Sequence, residues 1–293
     1  MTLDTEQFPV EGSVGTQASG FLGRIAGNGR VCIGVVLMVT ALTVALTGPL
    51  LAPYSPTALV DAPYGPATAD HLLGTDSLGR DVLSRFLAGG QDLVWMGGAT
   101  MALAISLGTA VGMSSAYWRG WIEQALMRLV DVMLAFPGVV FVLLFVTMFG
   151  PGRGLLVVLV GLTQAPYVAR VIRGASLQVV QREYVQWAEA AGISGPRIIL
   201  REILPNVSSP LLVEASLRLM WSTAMLASLS FIGYGIQPPQ ADWGLMINEN
   251  RNAITIQPWA VLAPILGIAA FTIGGSLLAE GISRVLSRTD EPS

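Results

Sequence analysis

Long uncharged intervals alternate along this chain with shorter segments in which arginines, acids, glycine and proline collect. The uncharged intervals cover residues 31–60, 93–118, 132–152, 154–169, 219–241 and 252–279. A helix needs about 20 apolar residues to cross a bilayer, and most of these intervals reach or approach that length. The pattern therefore predicts an all-α polytopic membrane protein with six transmembrane helices. The fourth interval is short and must borrow Val171 and Ile172 from beyond Arg170. The implied organisation is a tail over 1–28, a first helix over 29–52, an external loop over 53–92, a helical core over 93–285 and a second tail over 286–293.

Two polar segments carry helical periodicity of their own. In the first, after prolines at 53, 56, 63 and 66, "TDSLGRDVLSRFLAGG" offers a capped helix start at Thr75 or Asp76. Leu78, Val82 and Phe86 share one face, which predicts a helix lying along the outer membrane surface with Asp76, Arg80, Asp81 and Arg85 in water or headgroups. The second is "EYVQWAEAAGISGPRIILREILPN", residues 183–206. Tyr184, Val185, Ala188 and Ala191 recur at helical spacing, with Gln181, Gln186 and Glu189 on other faces, and Gly192 can take the left-handed conformation that ends a helix. Pro196 then opens a second helix, with Ile199 and Ile203 facing one way and Arg197 and Arg201 another, and Pro205 is expected to stop it.

Composition sharpens this picture. The 293 residues are 53% hydrophobic and 12% charged, with a mean hydropathy of +0.62, a balance foreign to a fully water-facing surface. All sixteen basic residues are arginine, so a phosphate-cradling P-loop, which ends in lysine and serine or threonine, cannot be present. If ATP is used, another subunit binds it. Cys32 and His71 are the only residues of their kinds, which excludes an internal disulfide and any cysteine-built metal site. Eleven arginines (24, 30, 119, 128, 170, 173, 182, 197, 201, 284 and 288) fall on one side of the predicted spans and four (80, 85, 153 and 251) on the other, with Arg218 inside span five. The positive-inside rule then puts both termini and residues 183–206 in the cytoplasm. Trp95, Trp118 and Trp121 bracket span two, and Trp243 and Trp259 precede span six, where interfacial rings belong. The first twenty residues carry three acids and no base, unlike a cleavable signal peptide, so span one is expected to be retained.

The spacing of residues 183–206 fits a known signature. Gly192, nine further residues, two more and Leu204-Pro205 match the cytoplasmic loop of ABC importer permeases. "HLLGTDSLGRDVLSR" (71–85), "MRLVDVMLAFP" (127–137) and "LSFIGYGIQPPQADWG" (229–244) resemble recurring segments of the second permease of the dipeptide, oligopeptide and nickel group. The resemblance runs from about residue 20 to residue 288. It departs at Gln186-Trp187-Ala188, where Glu-Ala-Ala is usual, and at Glu202, where isoleucine is usual. The acidic contact is then absent or taken by Glu183 or Glu189.

The resemblance implies a type I ABC importer permease fold with a cytoplasmic coupling helix, in the inner membrane of a bacterium. Its implied partners are a homologous second permease, two ATP-binding subunits that carry ATP and Mg, an external substrate-binding protein and the bilayer; no nucleic acid is expected. The chain itself is expected to bind no cofactor and to catalyse nothing. Candidate ATPase-coupling residues are Glu183, Tyr184, Gln186, Trp187, Ala188, Glu189, Gly192, Arg197, Arg201, Leu204 and Pro205. Residues 234–257, polar and external, are where a loaded binding protein is expected to touch. Gln164 in span four, near Pro166, and Glu214 and Arg218 in span five are candidates for the substrate path, because ionisable groups at membrane depth are functional suspects. Local pairing of Glu214 with Arg218, and of Arg128 with Asp131, is the plainer alternative. The cargo implied is peptide, with nickel chelate or glutathione open. A stand-alone secondary transporter is the rival class, although neither an inverted repeat nor a central carboxylate is visible. "GISG" at 192–195 matches the Gly-x-Ser-Gly of intramembrane serine proteases, but His71, the one histidine, falls on the opposite side of the membrane, and the sequon at Asn206 falls in the cytoplasm.

Overall fold

The computed structural model describes residues 29–287. Arg24, Arg288 and nearly all of the two expected tails lie outside the described residues. The first helix, α1, is Gly29–Leu51, shorter than its uncharged interval because Pro53 and Pro56 follow. After a loop over 52–81 come α2 (Val82–Trp118), α3 (Gly120–Ala135), α4 (Gly138–Phe149) and α5 (Arg153–Val180). Next is α6 (Glu183–Ala190), then α7 (Gly195–Ile198), which runs through a π-helical stretch, Ile199–Ile203, into α8 (Leu204–Asn206). The chain ends with α9 (Ser208–Phe231), α10 (Trp243–Asn250), a 3₁₀ turn and α11 (Trp259–Ser287).

Four of these helices are long and apolar enough to cross a membrane: α1, α2, α5 and the Trp259–Ala279 part of α11. A fifth crossing exists if α3 and α4, bent by 81° at their junction, form one broken span. The bend follows from Pro137, which has no N–H and forces the preceding residue out of helical geometry; Phe136 sits at φ −88°, ψ 130°. The count of six is not reached on length and apolarity. The fifth expected span stops at Phe231 rather than at residue 241, because Gly233 adopts φ 89° and Pro238 and Pro239 follow. What remains, α9, has 24 residues but carries Glu214, Arg218 and seven serines and threonines.

Close glycine contacts assemble the bundle, as expected where no hydrophobic effect separates helix from lipid. A Cβ on Gly108 or Gly112 of α2 would fall 2.6 Å from Ala165 O or 2.7 Å from Ala169 O of α5, so these two helices meet backbone to backbone. Gly34 of α1 and Gly274 of α11 do the same. Trp243 wedges its ring between Gly90 of α2 and Gly267 of α11, donates from Nε1 to Phe86 O at 2.8 Å and stacks on the Phe86 ring.

The external surface helix expected near Thr75 does not form. Asp76 Oδ1 instead accepts the N–H groups of Leu78 (2.9 Å) and Arg80 (3.0 Å), closing a tight turn in which Gly79 takes φ 78°. The cap lies five residues later: Asp81 Oδ2 accepts from the Ser84 N–H at 2.7 Å and from the Ser84 hydroxyl at 2.6 Å, and α2 continues unbroken from there through the predicted second span. Asp76, Arg80, Asp81 and Arg85, expected in water or headgroups, are buried with at most 3% exposure. Asp76, Arg80 and Arg85 are buried because they pair with one another and with Glu249, and Asp81 because Ser84 and His71 face it. Arg80 Nε and Arg85 Nη1 donate to Asp76 Oδ2 at 2.7 and 2.5 Å, and Arg80 Nη2 and Arg85 Nη1 donate to Glu249 Oε2 of α10 at 2.8 and 2.6 Å. His71 Nδ1 stands 3.2 Å from Asp81 Oδ1, and Asn250 accepts from the Ser77 N–H. The loop is thus a folded collar tied to the start of α2 and to α10.

Asp242 caps α10 by accepting the Leu245 N–H at 3.0 Å. Complete burial pushes its carboxyl up to about 6, against the Leu245 N–H and the Ser230 hydroxyl, with Asp92 adding to the rise. A carboxyl raised in the folded state stabilises when protonated: the contribution is complete below its ordinary value near 3.8 and is lost as pH rises through about 6. The melting temperature should therefore fall between about pH 4 and about pH 7. Asp242→Asn, which keeps an N-cap acceptor but no charge, should flatten this slope. An identical slope in both proteins would show that Asp242 is not its source.

Candidate functional site

Residues 183–206 form an elbow. α6 is apolar on one face, and Val185 and Ala188 pack there with Ile198, Ile199 and Ile203 of the second arm. The same cluster takes in Met113 of α2 and Val168 and Ile172 of α5. The arms turn at Gly192, with φ 76°. Its N–H donates to Glu189 O at 2.9 Å and the Ile193 N–H to Ala188 O at 3.1 Å. These two bonds make the left-handed termination that glycine favours, because a Cβ there clashes with backbone. Gly195 rests on the Tyr117 ring at the end of α2, leaving no room for a side chain.

Pro205 does not stop the second arm. Proline cannot donate to the carbonyl four residues earlier, and the preceding stretch shifts register so that the Leu204 N–H reaches Ile199 O, five residues back. Helix then persists to Asn206, and the break falls at Val207. Of the candidate coupling residues, Glu183, Tyr184, Gln186, Trp187, Glu189, Gly192, Arg197, Arg201 and Pro205 are exposed, Leu204 is half-buried, and Ala188 is buried in the elbow's own core. Trp187 has 73% of its surface free and Leu200, which the sequence pattern did not single out, 60%. The elbow therefore presents an apolar ridge rimmed by charge on a packed base.

The three path candidates meet. Arg218 Nη1 donates to Gln164 Oε1 at 2.8 Å, bringing α9 to α5, and Arg218 Nε lies 3.2 Å from Glu214 Oε2. That ion pair is a contact without hydrogen-bond alignment, since neither of those two atoms finds a partner of good geometry. The guanidinium also sits 5.3 Å from the centre of the Tyr167 ring, a cation–π arrangement that periodicity could not reveal. Gln164, Glu214 and Arg218 are all buried. The expected Arg128–Asp131 pair is replaced by Arg170 of α5, which donates to Asp131 at 2.6 Å, while Arg173 binds Glu123. Both pairs fasten α3 to α5.

Residues 104–289, more than half of the chain, match the family described as the binding-protein-dependent transport system inner membrane component. The chain belongs to this family. As an inner-membrane component it is similar to the glutathione transport system permease protein GsiD of Pectobacterium atrosepticum, at 37% identity over 76% of this chain and 73% of that one. It is also similar to the dipeptide transport system permease protein DppC of Alkalihalophilus pseudofirmus, at 30% identity over 88% and 86%. Among solved structures, the MetNI methionine ABC transporter in inward-facing conformations shares the fold, with a TM-score of 0.53 and 15% identity over 69% of this chain and 96% of that one. In this inner-membrane component a cleft of about 280 Å³ opens beside the polar cluster, between the α3–α4 bend, α5 and α9, and both Gln164 and Tyr167 line it.

Proposed function

We propose that this inner-membrane component forms part of the path by which an ATP-driven importer moves di- or oligopeptides, and that it receives force through residues 183–206. One observation carries the reading: a glycine-turned elbow packs its inner face onto the ends of α2 and α5 and leaves Tyr184, Trp187 and Leu200 uncovered. A lever needs that combination, with a docking ridge outside and a rigid attachment to the spans inside, because a partner can bias the two transport states only through contacts that differ between them. The partners in this reading are a second, homologous permease, two ATPase subunits holding ATP and Mg, and an external binding protein. Both termini and the elbow lie in the cytoplasm, α9 serves as a further crossing shielded by α5, α10 and α11, and the segment over 234–257 receives the binding protein. Glutathione is the second cargo, favoured by the name of the P. atrosepticum relative.

Purification of the tagged chain from its native membrane tests the assembly. An ATPase subunit and a second permease should accompany it, and vesicles holding the complex should take up peptide only when ATP is supplied on the elbow side and the binding protein on the other. Uptake by the isolated chain without nucleotide would overturn the reading.

A further inference from the structure

We infer that the cleft between the α3–α4 bend, α5 and α9 is a cargo subsite that takes an uncharged, apolar side chain and holds the adjoining peptide carbonyl on Gln164. The inference rests on the peptide-import reading and narrows it. At about 280 Å³, the cleft lies at the lower edge of the range for small-ligand pockets, room for one part of a peptide rather than the whole. Its walls include Met133, Phe136, Tyr167, Trp221 and Met225, and no charged residue lines it. A charged cargo side chain entering it would lose hydration without meeting a counter-charge. Arg218, which bonds Gln164 of the wall, is already balanced by Glu214 at 3.2 Å.

The polar anchor is fixed from behind. A guanidinium only donates, so Arg218 Nη1 at 2.8 Å holds the Gln164 amide oxygen turned toward itself. Gln164 is thereby left with its NH₂ as the group free to act. The two aliphatic hydroxyls of the wall are engaged, that of Thr163 with Val160 O and that of Ser228 with Ala224 O, each at 2.8 Å. A donor without an acceptor beside an apolar cleft is suited to a peptide carbonyl. A lipid acyl chain would leave it unsatisfied, which argues against lipid as the occupant.

The single native cysteine makes a direct test practical. Cys32→Ser combined with Ser228→Cys places one thiol in the wall, and the complete complex in vesicles, with its ATPase subunits and binding protein, is treated with a small water-soluble thiol reagent during ATP turnover. Dileucine at about ten times its half-saturating concentration should slow modification about tenfold by occupancy, as mass action requires. Diaspartate and S-methylglutathione, which has no free thiol to consume the reagent, should not slow it. Gln164→Met in the same background should remove the protection by dileucine while the complex still copurifies. Equal protection by all three peptides, or none by dileucine while dileucine is transported, would overturn the subsite and leave the importer reading intact. A thiol shielded before any peptide is added would identify lipid as the occupant and also overturn it. Failure of every peptide to be taken up under ATP would instead sink the importer reading.

Discussion

Arg85→Met should destabilise the protein by roughly 3 kcal/mol, the low end of the cost of breaking a buried ion pair, because two carboxylates are then left to share one cation. Arg85 is fully buried and joins Asp76 to Glu249, so its removal strands Asp76, itself fully buried, with Arg80 as its remaining cation. Methionine fills the volume without the charge, so the loss reads the electrostatics rather than a cavity. The measurement is thermal unfolding of the purified protein, with the double variant Asp76→Asn, Arg85→Met recovering part of the loss because no unpaired charge then remains. A melting temperature unchanged in the single variant would mean that the collar contributes nothing to stability. Acid supplies a second readout. Burial alone would raise the carboxyl of Asp76, but the Arg80 N–H, the Arg85 guanidinium and the Leu78 N–H outweigh it and hold it below the ordinary 3.8. A lowered carboxyl contributes stability that is complete above its unfolded value and lost as pH falls through the folded one. Without Arg85 the folded value rises, and acid unfolding of the variant should begin at a higher pH than in the parent.

The elbow variants should act on assembly and leave insertion alone. Beyond its own residue and its two chain neighbours, no atom lies within 4 Å of a Cβ built on Gly192, so Gly192→Val is opposed only by the local backbone, at about 1–2 kcal/mol or more for a side chain at positive φ. Distorting the turn swings α6 against α7 and should weaken capture of the ATPase. Trp187→Asp leaves the backbone as it is and removes the most exposed aromatic of the ridge. A buried aromatic anchor is commonly worth 2 kcal/mol or more at an interface, so ATPase association should weaken about thirtyfold or more. Titration of the purified ATPase against the detergent-solubilised permeases, with ATP-dependent uptake in parallel, measures both. Wild-type affinity in Trp187→Asp would place the docking surface elsewhere.

What the sequence made legible follows from distance along the chain. Residues 183–206 could be read in outline because their structure is local: an apolar face at helical spacing, a glycine to reverse direction and a proline to start again. The one local error, Pro205 as a stop, came from a register shift that spacing does not display. The collar was misread for the opposite reason. Asp76, Arg80 and Arg85 default to water when read alone, and the acid that allows their burial, Glu249, lies 164 residues beyond Arg85. Gln164, Glu214 and Arg218 were each visible as polar residues out of place, but that they touch is a fact of how α5 crosses α9. The unbroken join between the outer segment and the second span was hidden because Asp92 and Arg85 interrupt the apolar pattern. Only the structure shows Arg85 paired inward and Asp92 bonded to Arg153 across the helices.

At 37 residues α2 is about 55 Å long. Its first turn carries Arg85 and its last carries Tyr117, the seat of Gly195. One stiff rod therefore joins the charged collar at one end of the bundle to the elbow at the other, with no joint between them. Tilting it by roughly 10° about its middle would carry each end about 5 Å in opposite directions, given the rise per residue of an α-helix. Narrowing at one mouth would then accompany widening at the other, as on a seesaw, by geometry alone and without a relay of side chains.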